Sequence, residues 1–429
     1  MAQTTSAFDA TLKEVYAPGV REELNQKTNL LDLFIEADLT QFAWQGREVV
    51  LDLHSARNLS GVKYVPESGG LPVAGYQGTK DLKIPIADVF GRIELTEHVM
   101  KASRSDKGAF IRAMDLEQKG LVEDISRQRN RALAGWGGGV LAVITTGANS
   151  TTQTLKDPGG VVGTVNVTRF LQPGMYVAIS DPTGATVRDV QAIATVSSTT
   201  ITFANAINTT TSDIVTLGTN SLSVNEGSGV AGTESMGVLG LADATTYVTT
   251  IFGLDRSLAA NKFFVSQVLT NVGTINEDML QRAVDNTEEL SGEYINKFVC
   301  HSSVRREVIK LTQADRRYAA GDGPMNFDAG TKAGSGKKDL TFNGWSFRTD
   351  KDFAYGTIVG LNSNHLIWFP EEKGSWQGAE GDPTLLRVNN KANYEARYRI
   401  FENFASDKGN SLFRMDGVTA TVTAGIYSL

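Results

Sequence analysis

Few residues in this sequence have types and spacing that could perform chemistry. Gly227, Gly229 and Gly232 match the G-x-G-x-x-G spacing with which a dinucleotide-binding loop approaches a pyrophosphate. That loop needs a strand before it and a helix after it, and the residues that follow, TESMGVLG, begin a helix poorly. A flexible return loop is therefore the favoured interpretation of these glycines, with a cofactor site as the lesser alternative.

Two further stretches resemble catalytic motifs only in part. In GTKAGSGKKD, the position five residues before Gly336 is Thr331 instead of glycine, and Lys338 stands where a P-loop needs serine or threonine to bind the metal. Ser60 and Lys63 have the S-x-x-K spacing of certain acyl-transfer enzymes, but they lie in a predicted β-arm without the helix that would hold the lysine against the serine. A solvated basic loop and a solvated arm explain both stretches.

Metal ligands and acid–base pairs are equally sparse. The four histidines lie far apart in the sequence, and one cysteine cannot make a thiolate zinc site. That cysteine, Cys300, lies in an apolar strand-like run, which predicts a buried thiol rather than a reactive one. Adjacent acids such as Glu288 and Glu289 diverge on a helix, so a solvated face is favoured over a general acid–base pair. The sequence therefore predicts no enzyme, no cofactor and no metal site.

Composition restricts the class of protein. The 429 residues are 41% hydrophobic and 21% charged, which is typical of a globular chain of two or three domains. A net charge of −7 argues against a protein that coats nucleic acid by charge alone, although it leaves room for a basic patch. The single cysteine favours a reducing compartment. We find neither a signal-peptide pattern nor a membrane-length apolar run, and we therefore expect cytoplasmic synthesis and no membrane partner.

The first 97 residues are predicted to form two projecting segments. Residues 1–45 indicate an N-terminal arm with a short amphipathic helix in REELNQKTNLLDLFIEA, residues 21–37. Residues 46–97 indicate two long strands joined by a tip rich in glycine, proline and serine, with Val50 alternating against Asp52 and His54. An isolated two-stranded ribbon is marginal in water, and we expect this one to bury little against its own chain. It should therefore lean on another molecule.

A long helix and a compositionally distinct segment follow. The helix is predicted to begin after Ser105 and to stop at the glycines 137–139, which makes it about 30 residues long against a mean of ~11–12. Residues 141–220 contain 18 threonines and only seven charged residues. Short alternating runs separated by turns at Pro173-Gly174 and 181–184 predict a small β-barrel or sandwich inserted in an α/β chain. The runs are VVGTVNVT (161–168), MYVAIS (175–180), VQAIATV (190–196), TTITFANAI (199–207) and DIVTL (213–217).

The remainder of the chain is predicted to be α/β. TINEDMLQRAVDNTEELSG indicates a helix with a Thr274–Glu277 capping box and an end at Gly292. KFVCH indicates a buried strand, and SSVRREVIKL indicates a helix capped by Ser302 or Ser303. Residues 321–339 read as a polar glycine-rich loop, and the chain closes with two strand-like runs, ANYEARYRIFENFASD and NSLFRMDGVTATVT.

The clearest local signal is a hairpin in LTFNGWSF. Asn343-Gly344 suits a two-residue type I′ turn, because both positions need positive φ. That turn sets Phe342 against Trp345 and Leu340 against Phe347, which gives one face four large apolar groups. The hairpin therefore predicts packing rather than chemistry.

The order of these parts resembles the major capsid protein of tailed bacteriophages, the Hong Kong ninety-seven fold. GRIELTEHVMKASRSDKGAF resembles the passage from the extended loop into the spine helix, and KFVCHSSVRREVIKL resembles the crossover between peripheral and axial domains. LTFNGWSFRTDKDFAYGTIVGLNSNHLIWF is similar to the family's strand–turn–strand segment. The resemblance covers nearly the whole chain outside 141–220.

An α+β fold in five parts is implied by the resemblance. They are an N-terminal arm (1–45), an extended β-hairpin loop (46–97), the spine helix of a peripheral domain (98–140), the inserted β domain (141–222), and the rest of the peripheral and axial domains (223–429). We expect the insertion on the outer surface of a particle, because it has no basic stripe with which to meet packed DNA.

The implied function is structural and not enzymatic. The resemblance implies self-assembly as hexamers and pentamers into an icosahedral head that encloses double-stranded DNA, located in the virion after assembly in the host cytoplasm. Implied partners are other copies of the chain, a portal protein, a separate scaffolding protein (or none), a decoration protein on the insertion, and the packaged DNA through non-specific contact. Candidate intersubunit contacts in the β-arm are Lys63, Tyr64, Lys80, Lys83 and Arg92.

A few relatives join a lysine of this arm covalently to a neighbouring asparagine. Lys63, Lys80 and Lys83 lie in the matching element. Most relatives lack the link, so we expect these lysines to be solvated or paired.

Two other classes of function stay open. A β-rich surface-array or adhesin-like binding protein is typical of a threonine-rich β domain, but the missing export signal and the single cysteine argue against it. A cytoplasmic enzyme with an α/β core is disfavoured by the failed motifs. Electron microscopy would separate closed shells, extended sheets and small soluble particles.

Overall fold

The structure is a computed structural model that describes residues 30–37, 48–58, 60–97, 107–159, 167–184, 186–218, 234–315, 341–377, 386–388, 391 and 393–420. The helices in these residues are α1 (Lys107–Ala134), α2 (Val238–Leu241), α3 (Glu277–Ser291) and α4 (Ser302–Asp315). The first strands are β1 (Ile35–Glu36), β2 (Glu48–Ala56), β3 (Gly78–Pro85), β4 (Ala87–Thr96), β5 (Val140–Ile144), β6 (Asn149–Lys156), β7 (Tyr176–Ser180), β8 (Val187–Val196), β9 (Thr200–Asn208) and β10 (Ile214–Leu217). The later strands are β11 (Thr250–Ile251), β12 (Leu254–Asp255), β13 (Gln267–Leu269), β14 (Lys297–Cys300), β15 (Thr341–Phe342), β16 (Trp345–Thr349), β17 (Ile358–Leu361), β18 (Leu366–Gln377), β19 (Leu386–Arg387), β20 (Asn393–Ser406) and β21 (Phe413–Met415).

A five-stranded sheet carries the long helix. The long strand β20 pairs with β4 along one side and with β18 and β19 along the other, and β1 pairs with the far edge of β18. Helix α1 lies across β4, where Gly91 has no side chain to obstruct it: a Cβ there would lie 2.5 Å from Ile125 Cδ1. Arg129 of α1 also forms an ion pair with Glu402 of β20, whose side chain is fully buried. Packing and charge together fix the long helix to the sheet.

A six-stranded mixed sheet forms the second layer. Its order is β13-β21-β17-β14-β16-β15, and α3 and α4 bury their apolar faces against it through a cluster that includes Leu280, Val284, Val308, Phe298 and Phe413. The predicted buried strand at Lys297–Cys300 is its centre, and Cys300 is fully buried. A larger core lies between the two sheets, and here we name it the central core; it contains Leu361, Phe353, Phe404 and Leu412.

The predicted hairpin is confirmed at its turn. Asn343 and Gly344 both have positive φ, 50° and 84°, and Phe342 pairs with Trp345. Phe347 is buried, but the expected partner Leu340 lies outside the described residues. The hairpin forms the edge β15–β16 of the six-stranded sheet and contributes to its core.

The described residues between 140 and 217 form a closed six-stranded barrel in the order β10-β5-β6-β9-β8-β7. Its interior is aliphatic apart from Phe203, and it includes Leu141, Val177, Ile193 and Val215. Strands β7 to β10 coincide with predicted alternating runs, whereas β5 and β6 were not predicted. The predicted run at 161–168 lies mostly outside the described residues, and Val167 onward forms a turn.

Several local predictions were wrong. Residues 31–36 form a 3-10 turn and the short strand β1 instead of the end of an amphipathic helix, because Ile35 pairs with Ile367. Helix α3 is capped by Asn276, whose Oδ1 accepts the Met279 N–H at 2.8 Å, and not by Thr274. Its predicted end at Gly292, with φ of 71°, is confirmed.

Other predictions lie outside the described residues: the helix start at Ser105, the glycines at 227–232, the loop at 321–339 and the first 29 residues.

Candidate interaction surface

The predicted β-arm has two parts with opposite character. Its root is the antiparallel ribbon of β2 and β3, and one face of the ribbon is buried in the central core. The buried residues are Val49, Leu51, Leu53, Leu82 and Ile84. The expectation that the arm buries little against its own chain was therefore wrong at the root. The alternation around Val50 was taken in the wrong phase, because Val50 points outward.

Beyond the root, residues 57, 58 and 60–77 form a tip that exposes large apolar side chains. Val62, Tyr64, Leu71, Val73 and Tyr76 are each at least 79% exposed. Large exposed apolar side chains grouped in one segment are typical of contact sites, because each gains about 1.5–3 kcal/mol when a partner covers it. The tip therefore has the chemistry of an interface.

Four of these five tip residues were missed in the sequence. Only Tyr64 had been singled out. The available signal was the presence of large apolar residues between glycines and prolines in VKYVPESGGLPVAGY, where a solvated turn needs none.

Of the five predicted contact residues, Lys63 and Tyr64 lie on the exposed tip. Lys80 and Lys83 lie on the ribbon, and Lys80 Nζ donates a hydrogen bond to Asn261 of its own chain. The structure therefore places Lys80 in an intrachain contact at the ribbon root.

Arg92 lies elsewhere. The second long strand of the predicted arm is broken at residue 86, and its distal half, β4, belongs to the five-stranded sheet. There Arg92 Nε pairs with Glu395 Oε2 at 2.6 Å. The structure does not bring the five residues together into one site.

The barrel meets the rest of the chain through a seam centred on Arg169. Its guanidinium pairs with Asp157 at 3.1 Å and lies 4.1 Å from the ring centre of Tyr355, in the loop before β17. The Tyr247 hydroxyl also donates to the Gly159 carbonyl at 2.9 Å, and the Tyr247 ring stacks on Trp136 at the end of α1. This seam joins the barrel closely to the core.

The buried charged clusters are internal ties. Arg414, which is fully buried, pairs with Asp243 and with Asp416 at 2.7 Å each. Asp243 also accepts the backbone N–H groups of Tyr247 and Val248 at 2.7 and 2.8 Å. Through these bonds Asp243 holds the loop that follows α2.

His301 and Cys300 are also structural. The His301 ring accepts the Ser303 N–H at Nδ1, 3.2 Å away, so the ring caps α4 where Ser302 or Ser303 had been predicted to do so. Burial, with Arg169 and Arg306 nearby, lowers the pKa of His301 to about 4. Burial also raises the pKa of the Cys300 thiol to about 12, which keeps it a thiol as predicted.

Within the described ranges, no three His, Cys, Asp or Glu side chains are grouped to hold a metal ion. No helix among the described residues is long and apolar enough to cross a membrane.

Comparison with known proteins identifies the fold. No protein-family model matches the sequence, and a search of curated proteins found no match. Among solved structures, the chain is similar to one from the capsid asymmetric unit of cyanophage A-1(L), with 9% identity, a TM-score of 0.56, and coverage of 96% of this chain and 99% of that one.

Weaker similarities extend over comparable lengths. A chain from the capsid of a native GTA particle has 8% identity and a TM-score of 0.49, with 95% of this chain and 96% of that chain covered. A chain of Mycobacterium phage Adephagia has 10% identity and a TM-score of 0.47, with 99% and 100% covered. The fold assignment rests on the cyanophage chain: in agreement with the resemblance to the Hong Kong ninety-seven family, this chain has the fold of a phage capsid protein.

Proposed function

We propose that the chain is a structural subunit of a phage head, a major capsid protein without enzymatic activity. The observation that carries the proposal is the likeness to the cyanophage capsid chain over nearly the whole length of both chains. The similarity covers 99% of the cyanophage chain, so it includes all the domains of that chain. We propose further that the subunits form hexamers and pentamers of an icosahedral shell around double-stranded DNA.

The exposed tip supports this proposal from the physical side. A tip that presents Tyr64, Leu71 and Tyr76 to water is costly for a free subunit and useful for one that packs against copies of itself. Because the ribbon root is buried in the central core, the tip is held at a defined place. We therefore assign the tip to contacts between subunits.

The remaining partners follow from the same proposal. A portal protein and a separate scaffolding protein belong to the assembly of such a head. The barrel lies on the outer surface, where a decoration protein would dock. The supporting observation is its composition: Lys156, Arg169 and Arg188 are the only basic residues from 141 to 220, and two of them are paired with acids inside the chain.

The proposal is tested by removing the tip. The chain, produced together with its scaffolding protein or alone if it assembles without one, should form closed shells in electron micrographs. Deletion of residues 58–77 should leave a soluble, folded subunit that no longer closes stable shells, because the buried root is retained.

A matched variant separates apolar contact from chain length. Serine at the five exposed apolar positions should have the same effect as the deletion, whereas Glu67→Gln in the same tip should not. Normal, equally heat-stable particles from the deletion variant would refute the role of the tip. Extended sheets or small soluble particles from the unaltered chain would instead favour a surface-array protein or an enzyme.

A further inference from the structure

One histidine lies between two carboxylates at the place where the two sheets are connected. His365 Nδ1 is 2.8 Å from Asp407 Oδ1, and its Nε2 forms a short contact with Glu293 Oε2. Lys408 Nζ donates to the other oxygen of Glu293 at 2.7 Å. Four charged or titratable side chains therefore form one continuous chain of hydrogen bonds.

The cluster joins three separate segments. His365 lies in the connection from β17 to β18, and Asp407 lies in the connection from β20 to β21. Both connections lead between the six-stranded and the five-stranded sheet. Glu293 follows the end of α3, so the ring ties that helix to the two places where the chain passes from sheet to sheet.

The geometry determines where a proton must be. A neutral imidazole has one N–H, whereas both ring nitrogens here face a carboxylate oxygen. Only the imidazolium form can donate to both. The charges agree, because Glu293, Asp407 and Lys408 sum to −1 and the ring proton brings the cluster to neutrality.

The surrounding groups leave the ring as the place for that proton. The hydrogen bond from Lys408 lowers the pKa of Glu293, and the bond from His365 adds to this effect against the opposing effect of burial. The Asn362 side-chain amide also donates to Glu293 Oε2 at 2.9 Å. On the adjacent β1, Glu36 is engaged by Lys373 at 2.6 Å.

We propose that His365 is a proton-dependent tie between α3 and the two connections that join the sheets. When the ring is protonated, it holds Glu293 and Asp407 together. When it loses its proton, one of the two bonds is lost, and a carboxylate then faces a lone pair. The tie thus stabilises the chain at low pH and is released as the pH rises.

A double-mutant cycle on the full-length, unassembled chain measures the tie. His365→Gln, Glu293→Gln and the double variant are unfolded in urea at pH 6 and at pH 9. At pH 6 we expect a coupling of about fivefold in the unfolding equilibrium constant, the size usual for partly exposed ion pairs. At pH 9 the coupling should be smaller, because the neutral ring can donate to only one of the two carboxylates. His54→Gln is the control, because His54 contacts the neutral Gln77. The effect of this substitution on the unfolding equilibrium constant should not show the same difference between pH 6 and pH 9.

A second measurement needs no substitution in the cluster. The chain has four histidines, so ¹⁵N spectra of histidine-labelled protein are simple enough to assign. His365 should show two protonated ring nitrogens at pH 6 and one at pH 9. Equal coupling at both pH values, or an unprotonated ring nitrogen at pH 6, would overturn the proposal. The tie lies inside one chain, so this outcome is independent of whether shells form.

Discussion

Gly237 shows how closely the backbone is packed at the end of the long helix. A Cβ at this position would lie 2.3 Å from the carbonyl oxygen of Ala132 and 2.4 Å from that of Gly135. Both atoms belong to the backbone and cannot rotate away. We expect Gly237→Ala to lower the free energy of unfolding by at least about 2 kcal/mol, measured by urea denaturation.

Gly120 provides the matched control for this substitution. It lies inside α1, and a Cβ there would meet no atom within 4 Å. Gly120→Ala should therefore raise the free energy of unfolding by up to ~1 kcal/mol, because alanine is the better helix former. If Gly237→Ala leaves the free energy of unfolding unchanged or raises it, the clash at Gly237 does not exist.

His301 makes stability depend on acid. Its folded pKa of about 4 is depressed by burial, Arg169 and Arg306, while the unfolded chain titrates near ~6.5. The unfolded state thus binds more protons between these values, so stability is present above ~6.5 and is lost as the pH falls towards ~4, by at most about 3 kcal/mol. His301→Asn keeps an acceptor for the Ser303 N–H and should remove this share of the acid sensitivity. An unchanged pH profile of urea unfolding in the variant would contradict this account.

The roles of single residues, such as helix capping, were the features least predictable from the sequence. Asn276 and Thr274 are both good capping residues, and the choice between them depends on where tertiary contacts begin the helix. His301 caps α4 with a ring nitrogen, and ring nitrogens are not part of the usual capping preference. The burial of Cys300 was predictable because it directly follows the apolar pair Phe298-Val299 in a strand-like run.

At the scale of secondary-structure elements, the sequence pattern predicted the features that depend on residues close together in the chain. The hairpin turn followed from Asn343-Gly344, since few other residues accept positive φ. Helix α1 followed from its periodicity and the glycines beyond it. The break of the arm at residue 86 did not follow, because both halves are good strands and only pairing with β20 assigns the second half to another sheet.

The barrel should be separable from the core. Thr216 of β10 pairs with Val140 of β5, so the two ends of the barrel are neighbours. Replacing residues 141–216 by a short Gly/Ser linker should leave a core that still unfolds cooperatively. Its stability should fall by about 1–3 kcal/mol, because Tyr355 loses the cation of Arg169.

A variant that keeps the barrel isolates the seam. Arg169→Met combined with Asp157→Asn removes both charges of the seam without leaving either one buried alone. We expect it to lower core stability by a similar amount. A linker variant without a cooperative urea transition would show that the barrel is needed for the core to fold.

At the scale of the whole molecule, the lysines of the arm should not be covalently linked. Lys80 is held by Asn261 of its own chain, and Lys63 and Lys83 are exposed. Denaturing electrophoresis of mature particles should therefore show a single band near 46.2 kDa. A ladder of multiples of that mass, lost in Lys63→Arg or Lys83→Arg, would contradict this expectation.

The overall fold could be recognised from the order of elements, although each element alone is common. The candidate site could not be predicted to the same degree. Leu71 and Tyr76 are exposed because no other part of the described chain packs against them. This depends on the tertiary structure and cannot be read from the neighbouring residues in the sequence. Arg92 was misplaced for the same reason, because its partner Glu395 is about 300 residues away in sequence.

The ribbon has a buried root and an exposed tip, so it can act as a lever on the central core. Leu51 and Leu82 are embedded in the central core, so the ribbon must follow any rotation of that core. The chain from the last ribbon pair at Ala56 to the middle of the tip can reach roughly 30 Å. Over that length, a rotation of about 5° moves the tip by roughly 2.6 Å, which is enough to change which side chains it meets. In the proposed shell, a tilt too small to disturb the packing of one subunit would therefore move the side chains that contact its neighbour.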